Sequence, residues 1–406
     1  MNLRGIACAA GLATALAASG CVTSVQRPLP LNTPTKAAVQ LPPTELLDVA
    51  IQLFDAHVPA AEKDQKSQRI DPNVRAAEAR VMPVVLANTL QDTGFWGQVR
   101  VVPDATALLD VNVTGTILES RGSHLKLAIK ATDATGATWL DRIYEGDPDL
   151  RTYKSGSTSS RDPFQNVYVK IADDLAAARK ALPVARISQI QRVAQLRFDS
   201  NIAAYAYKDY LRKDRKGQYQ LVRLPAGDSP LDQRLAQVRE RDFALLDTVD
   251  DSYRLASETI GDSYLNWRRS DHAESEQEAE IRRSARTRML MGAAAVIGGI
   301  AAADSSSSTA GQILGGVAVA GGIEAFKSGM GQRAEAKAHA ESIKQQIASF
   351  SGEVAPMNVE AAGRVVELRG TAEQQFQEWR RLLQELYEND TGQAAASAST
   401  AADGPR

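Results

Sequence analysis

An apolar stretch rich in glycine and alanine, Met289–Phe326, lies deep in an otherwise charged carboxy-terminal half and limits what this chain can become. It reads MLMGAAAVIGGIAAA over Met289–Ala303 and AGQILGGVAVAGGI over Ala310–Ile323, with Asp304 and Ser305–Ser308 between them. At about 1.5 Å per residue each arm reaches only about 22 Å as a helix, short of the ~30 Å of hydrocarbon that roughly 20 residues cross. Length therefore argues against a single-pass anchor and for two arms joined by a polar turn. Arg282, Arg283, Arg286 and Arg288 lead into the first arm, and Lys327 and Arg333 follow the second. Both arms thus rise from a cationic base suited to lipid phosphates. Small residues recur four apart at Ala294/Gly298, Ala295/Gly299, Gly311/Gly315 and Ala318/Gly322, which lets helix backbones approach closely. Gly292, Gly298, Gly299, Gly311, Gly315, Gly316, Gly321 and Gly322 are accordingly the candidate positions for membrane association or self-association. Two other readings compete: the buried tip of a hairpin on the protein's own core, as apolar runs of about 10–14 residues often are, or a low-complexity loop.

The amino terminus supplies a second constraint. Met1–Gly20 carries one basic residue, Arg4, then a run of Ala, Leu, Ile and Gly, with small residues ahead of Cys21, which is the pattern of a secretory signal peptide. Ala18-Ser19-Gly20-Cys21 resembles the lipobox of bacterial lipoproteins, with Ala18 where that family more often has leucine. The resemblance implies that Cys21 becomes the first mature residue, acylated on its sulfur and amine, and that Val22 after it favours the outer membrane. Several acyl chains anchor stably where one alone binds marginally. The competing reading is an ordinary signal-peptidase site with a free cysteine. Cys8 and Cys21 are the only cysteines, so once the leader is cut no internal disulfide can form and stability must come from packing.

A chain of 406 residues, 44% hydrophobic and 24% charged, can bury one sizeable core and has length for two. Its formal net charge of −2 lacks the basic face of a nucleic-acid binder. Val22–Pro42, with Pro28, Pro30 and Pro34, reads as a spacer behind the lipid anchor. Leu46–Asp55 reads as a buried strand, with a helix as the alternative for so short an apolar run. Asp71–Thr93 has apolar residues at helical spacing and Gly94 as its stop, with Pro83 expected to kink or split it near Met82. Strands follow at Val99–Val102 and Leu109–Leu118, and a hairpin at Leu125–Thr132 and Thr138–Tyr144 turns through Asp133–Gly136. Phe164–Leu182 returns to helical period.

Residues 43–183 thus read as an α/β two-layer domain. In element order, and in its DVNVTGTI strand followed by a DATG turn, it resembles the amino-terminal domains of TolB-like proteins and curli-secretion-type periplasmic lipoproteins. That resemblance covers about 140 residues and implies a partner-binding module without chemistry; an unrelated α/β fold is the alternative.

Residues 184–350 read as helical. Ile187–Leu211 is periodic, Lys213–Asp228 is a connector with a short strand near Leu221-Val222, and an apolar stripe runs from Leu231 to Trp267. Ala336, Ala340, Ile343, Ile347 and Phe350 repeat that spacing beyond the glycine-rich arms. The simplest arrangement is an antiparallel helical hairpin with the arms, 289–326, at its tip. Residues 351–390 read as a β-hairpin, Met357–Val359 with Arg364–Leu368, and then a helix opened by the capping box Thr371/Gln374 that buries Phe376, Trp379, Leu383 and Leu386. The tail 391–406 has the composition of disorder. The fold class expected is α+β.

Catalytic patterns are few. His57, His124, His272 and His339 form no HExxH pair, there is no GxSxG elbow, and Lys154–Arg161 lacks the context of a phosphate loop. No metal site or cofactor is indicated. Asp247, Asp250 and Asp251, and the run Glu274 to Glu280, read as solvated helix faces, the latter with Arg282 and Arg283 at pairing distance. The function expected is a non-enzymatic, lipid-anchored outer-membrane lipoprotein, its body in the periplasm. It would act as a scaffold or part of an assembly or secretion complex, with an envelope protein or further copies of itself as partner. An oligomeric pore subunit is the alternative and a periplasmic cell-wall or lipid enzyme a more distant one.

Overall fold

The computed structural model describes residues 30–104, 109–154, 161–207, 209–225, 229–301, 338–346, 357–361 and 364–390; of these, the side chains of 282, 284–301, 357–365, 384 and 386–390 are outside the description. Its amino-terminal layer is a five-stranded sheet in the order β2-β1-β3-β4-β5. Strands β1 (Leu47–Gln52), β2 (Trp96–Val102) and β3 (Val111–Ser120) are parallel, with β1 between the other two. Strands β4 (Leu125–Asp133) and β5 (Thr138–Gly146) continue antiparallel from β3 as a meander. Alternation fixes the faces: Val111, Val113, Ile117, Leu125, Leu127 and Ile129 are buried, while Thr114, Glu119 and Lys130 are exposed.

Helices α1 (Glu62–Gln68) and α2 (Pro72–Gln91) make the crossover from β1 to β2. Asp71 caps α2 by accepting the Asn73 and Val74 amides, and Pro72 occupies the first turn, where a missing N–H costs nothing. The expected break at Pro83 does not occur, and α2 runs unbroken to Gln91. A proline removes the bond to the carbonyl four residues back, here that of Ala79; the Phe54 amide donates to that carbonyl at 3.0 Å, so tertiary structure supplies the missing donor. Gly94 then takes φ +72° where the chain turns into β2.

Helix α3 (Gln165–Lys180) packs on β5 and α2, and α4 (Val184–Ile202) follows. The second helix ends earlier than its periodicity suggests. After Ala203 a short α5 (Ala204–Tyr207) leads into a hairpin of β6 (Leu211–Lys213) and β7 (Tyr219–Leu221). The Tyr219 amide donates to Thr135 O at 2.7 Å, which ties that hairpin to the β4–β5 turn and takes Leu211 out of the helix.

Helix α6 (Pro230–Ala301) is 72 residues long, about 108 Å at helical rise. Helix α7, residues 338–346, lies against it: Ala340 and Ile343 are buried with Ile260, Tyr264 and Trp267 of α6 and Val74, Ala77 and Val81 of α2. Strands β8 (Met357–Ala361) and β9 (Arg364–Leu368) form the expected hairpin, and α8 (Ala372–Asp390) begins with the expected capping box. The Thr371 amide donates to Gln374 Oε1 at 2.9 Å and the Gln374 amide donates to Thr371 Oγ1 at 3.2 Å.

The fold is α+β. One apolar core draws on the sheet, on α4 through Ile187 and Ile190, on α6 through Leu235 to Tyr253, and on α8 through Phe376 and Trp379. Residues 31–42, read as spacer, include hydrogen bonds to the layer: the Asn32 amide to Asn166, the Thr35 amide to Asp173 and the Ala37 amide to Thr93 O.

Candidate functional site: the seam of the long helix

A parallel set of strands leaves an open edge on β2, and α6 covers it. The Val101 amide donates to Asp250 Oδ1 at 2.8 Å, Arg254 Nη2 donates to Val99 O at 3.2 Å, and Arg100 Nε donates to Asp247 Oδ1 at 2.6 Å. Side chains of α6 thus satisfy the edge that another strand would otherwise seek. Of the three aspartates read as a solvated face, Asp247 and Asp251 are exposed and Asp250 is not: Asp250 is 7% exposed, and its carboxyl is pushed up by burial against the pull of Arg254 and the Val101 amide. A carboxylate on a helix of mixed charge is an edge clamp here because β2 is parallel and unpaired on that side.

The seam continues along α6 at helical spacing. Arg239 reaches Asp199 of α4 at 3.0 Å, Arg380 of α8 reaches Asp242 at 3.2 Å, and Tyr253 donates to Glu373 at 2.9 Å. Further along, Asp271 accepts the Gly122 amide at 2.7 Å. Glu274 lies 3.6 Å from Arg69, and Glu278 pairs with the same arginine. Gly122 is required where it stands: a Cβ there would collide with the α6 backbone at Arg268 and His272.

At the centre of the seam is a buried ionic network. Glu78 of α2 and Arg268 of α6 are both 0% exposed, with Nη2 3.3 Å from Oε1. Ser120 Oγ donates to the same carboxylate oxygen at 2.5 Å and Tyr264 Oη at 2.9 Å, while Arg75 Nε stands 3.4 Å from Glu78 Oε2. Arg268 also donates to Ser120 Oγ and Arg121 O and hydrogen-bonds to Tyr264 Oη. Its guanidinium lies 4.6 Å from the Phe164 ring centre and 4.7 Å from that of Tyr264. Burial raises the Glu78 pKa against the opposing pull of Arg268 and Arg75, and it raises Asp162 against Arg268. Tyr168 and Tyr264 are pushed well up by burial, so both stay protonated. Tyr264 is the phenol that donates within the network, to Glu78, while the buried Tyr168 hydroxyl has no partner among the described residues.

The residues singled out in the sequence stand elsewhere. Cys21, Gly311, Gly315, Gly316, Gly321 and Gly322 lie outside the described residues. Arg282, Arg286, Arg288, Gly292, Gly298 and Gly299 belong to the helical backbone of α6. Arg283 is exposed, beside a groove of about 610 Å³ shared with Arg69, Arg121, Glu119 and Glu278. Among the described residues no helix is long and apolar enough to cross a membrane, and no cluster of His, Cys, Asp or Glu is placed to hold a metal ion. Sequence reading missed Glu78, Arg268 and Asp271, whose partners are remote in the chain. One signal was present: Asp250, Arg254, Arg268 and Asp271 stand at intervals of 4, 14 and 3, which places them near one helix face beside the apolar stripe.

No protein-family model, curated protein or solved structure matches the chain.

Proposed function

We propose that this chain is a lipid-anchored, non-enzymatic scaffold of a bacterial envelope, acylated at Cys21. In this reading the α/β layer binds a partner, and the Met289–Phe326 segment associates with membrane or with further copies of the chain. The observation that supports it most is the continuity of α6. Tied to α4 at Arg239 and clamped to the α/β layer from Asp247 to Glu278, the helix runs without interruption through the arginines 282–288 and into Gly292–Gly299. A helix clamped over that length carries force or position from one end to the other. Two weak attachments, one acyl and one apolar, would act together with an affinity well above either alone.

The test is carbonate extraction of membranes from cells producing the wild-type chain, Cys21→Ala, and Cys21→Ala lacking residues 289–326. Retention of Cys21→Ala, with release only when the arms are also absent, is the expected result. Recovery of the wild-type chain in the soluble fraction refutes the anchored scaffold. Release by Cys21→Ala alone removes the role given to the arms.

A further inference from the structure

The hairpin of β6 and β7 concentrates positive charge that the fold leaves unmatched. Between Tyr210 and Pro225 the chain has five cations, Arg212, Lys213, Arg215, Lys216 and Arg223, against the one acid Asp214. A further acid, Asp209, precedes the hairpin. All five cationic residues are exposed, and among the described residues none of them forms an ion pair. The seam behaves differently: Arg100, Arg239, Arg254 and Arg268 are each matched by a carboxylate.

The hairpin holds these charges in a fixed arrangement. Asp214 is engaged by the turn itself: Oδ1 accepts the Lys216 amide at 2.8 Å and the Gln218 amide at 2.9 Å, and Oδ2 accepts Gln220 Nε2 at 3.3 Å. Gly217 closes the turn at φ +77°, and nothing lies within 4 Å of where its Cβ would stand, so the tip that carries Arg215 and Lys216 meets open space on that side. The base is anchored, since Leu211 and Leu221 pack on the core and the Tyr219 amide donates to Thr135 O. Lys213 Nζ lies 4.9 Å from the Tyr219 ring centre, and the Arg223 guanidinium lies 4.4 Å from that of Tyr210.

Exposed apolar side chains stand among the charges. Val222 and Leu224, on either side of Arg223, are 54% and 48% exposed. Cations beside exposed apolar side chains suit the boundary of an anionic bilayer, where phosphates take the charge and the headgroup layer takes the apolar groups. An acidic soluble partner accounts for the cations alone, and a bilayer accounts for both. We propose that the β6–β7 hairpin is a docking surface for an anionic phospholipid bilayer, with its five cations at the lipid phosphates and Val222 and Leu224 entering the headgroup layer. This contact needs neither an acyl chain at Cys21 nor residues 289–326, so it stands apart from the attachments proposed above.

Sedimentation of the full chain, as Cys21→Ala, with sucrose-loaded vesicles tests this, comparing phosphatidylcholine alone with phosphatidylcholine containing about 30% phosphatidylglycerol. The chain is expected to bind the anionic vesicles more tightly and to lose that preference between about 0.1 M and about 1 M salt, as the screening length falls from about 10 Å to about 3 Å. One cation at an anionic surface strengthens attachment about fivefold, so Arg215→Gln with Lys216→Gln should weaken it about 25-fold. The thermal transition should not move, since both residues are exposed and outside any ion pair. Arg215→Lys with Lys216→Arg keeps the charge and should bind as the Cys21→Ala parent does. Val222→Ser with Leu224→Ser should also weaken attachment to the vesicles. No binding to the anionic vesicles, equal affinity for the two vesicle types, or binding unchanged by the glutamine pair overturns the proposal. Binding that ignores the serine pair and is displaced by soluble polyglutamate points to an acidic protein as the partner and overturns it as well.

Discussion

Replacing Arg268 with methionine should cost the fold about 3–5 kcal/mol near pH 8, the range for removing one partner of a buried ion pair. The structure shows where that loss arises. Arg268 donates to Glu78 Oε1 at 3.3 Å, to Ser120 Oγ at 3.2 Å and to Arg121 O at 3.2 Å, and it lies between the rings of Phe164 and Tyr264. Methionine fills most of the volume but offers no donor. Glu78 keeps Arg75 at 3.4 Å, Ser120 and Tyr264, so it is weakened rather than stripped. Its response to pH gives the sharper test. Burial already raises the folded-state pKa of Glu78, so the folded state holds a proton more tightly than the unfolded one. For a group shifted in this direction stability is greatest below the unfolded pKa and declines as pH rises toward the folded one. Without Arg268 that folded pKa rises further, and the loss at pH 5 should be smaller than at pH 8. Urea denaturation followed by circular dichroism at the two pH values measures both. Adding Glu78→Gln should recover part of the pH 8 loss by removing the stranded charge. A change below about 1 kcal/mol at pH 8, the level of an exposed pair, would refute the assignment of this contact as a buried pair. Equal losses at both pH values would refute the linkage to Glu78.

Two further outcomes follow from close packing and from burial. Gly122→Ala should destabilise by about 1–3 kcal/mol, the cost of overpacking, because its Cβ meets the α6 backbone, which cannot step aside as a flexible side chain would; a melting temperature equal to wild type disproves that contact. Asp110 accepts the Asp48 amide at 2.9 Å and is pushed up to about 7 by burial, with the Asp48 charge adding to it, so it favours the fold at low pH and stops doing so as pH climbs from about 4 to about 7. Asp110→Asn keeps an acceptor for that amide and should match wild type at pH 4 while exceeding it by about 1–2 kcal/mol at pH 8, after allowance for partial exposure; chemical denaturation across that range decides it.

Much of the architecture was legible in the chain because it is local. Alternation placed β3, β4 and β5, the Asp/Gly turn placed their hairpin, and Thr371 with Gln374 announced the start of α8. The apolar stripe from Leu231 to Trp267 foretold the long helix, since a period of 3.6 is a property of neighbouring residues. Pro83 shows where local rules stop. Sequence alone gives the missing amide and predicts a break, while the donor that compensates belongs to Phe54, on a different element.

The candidate site lies almost wholly beyond local reading. Asp250 is acidic and helical in the sequence, and nothing near it says that the Val101 amide, 149 residues away, will use it as an acceptor. Glu78 and Arg268 are 190 residues apart, and only the docking of α6 across α2 takes both out of water and makes each depend on the other. Residue order by itself determined the secondary elements, the apolar stripes and the glycine-rich segment, because backbone preference and amphipathic period act over a few residues. Tertiary structure alone decided which charges are buried and which sheet edge is covered, because burial and pairing depend on what the fold brings alongside.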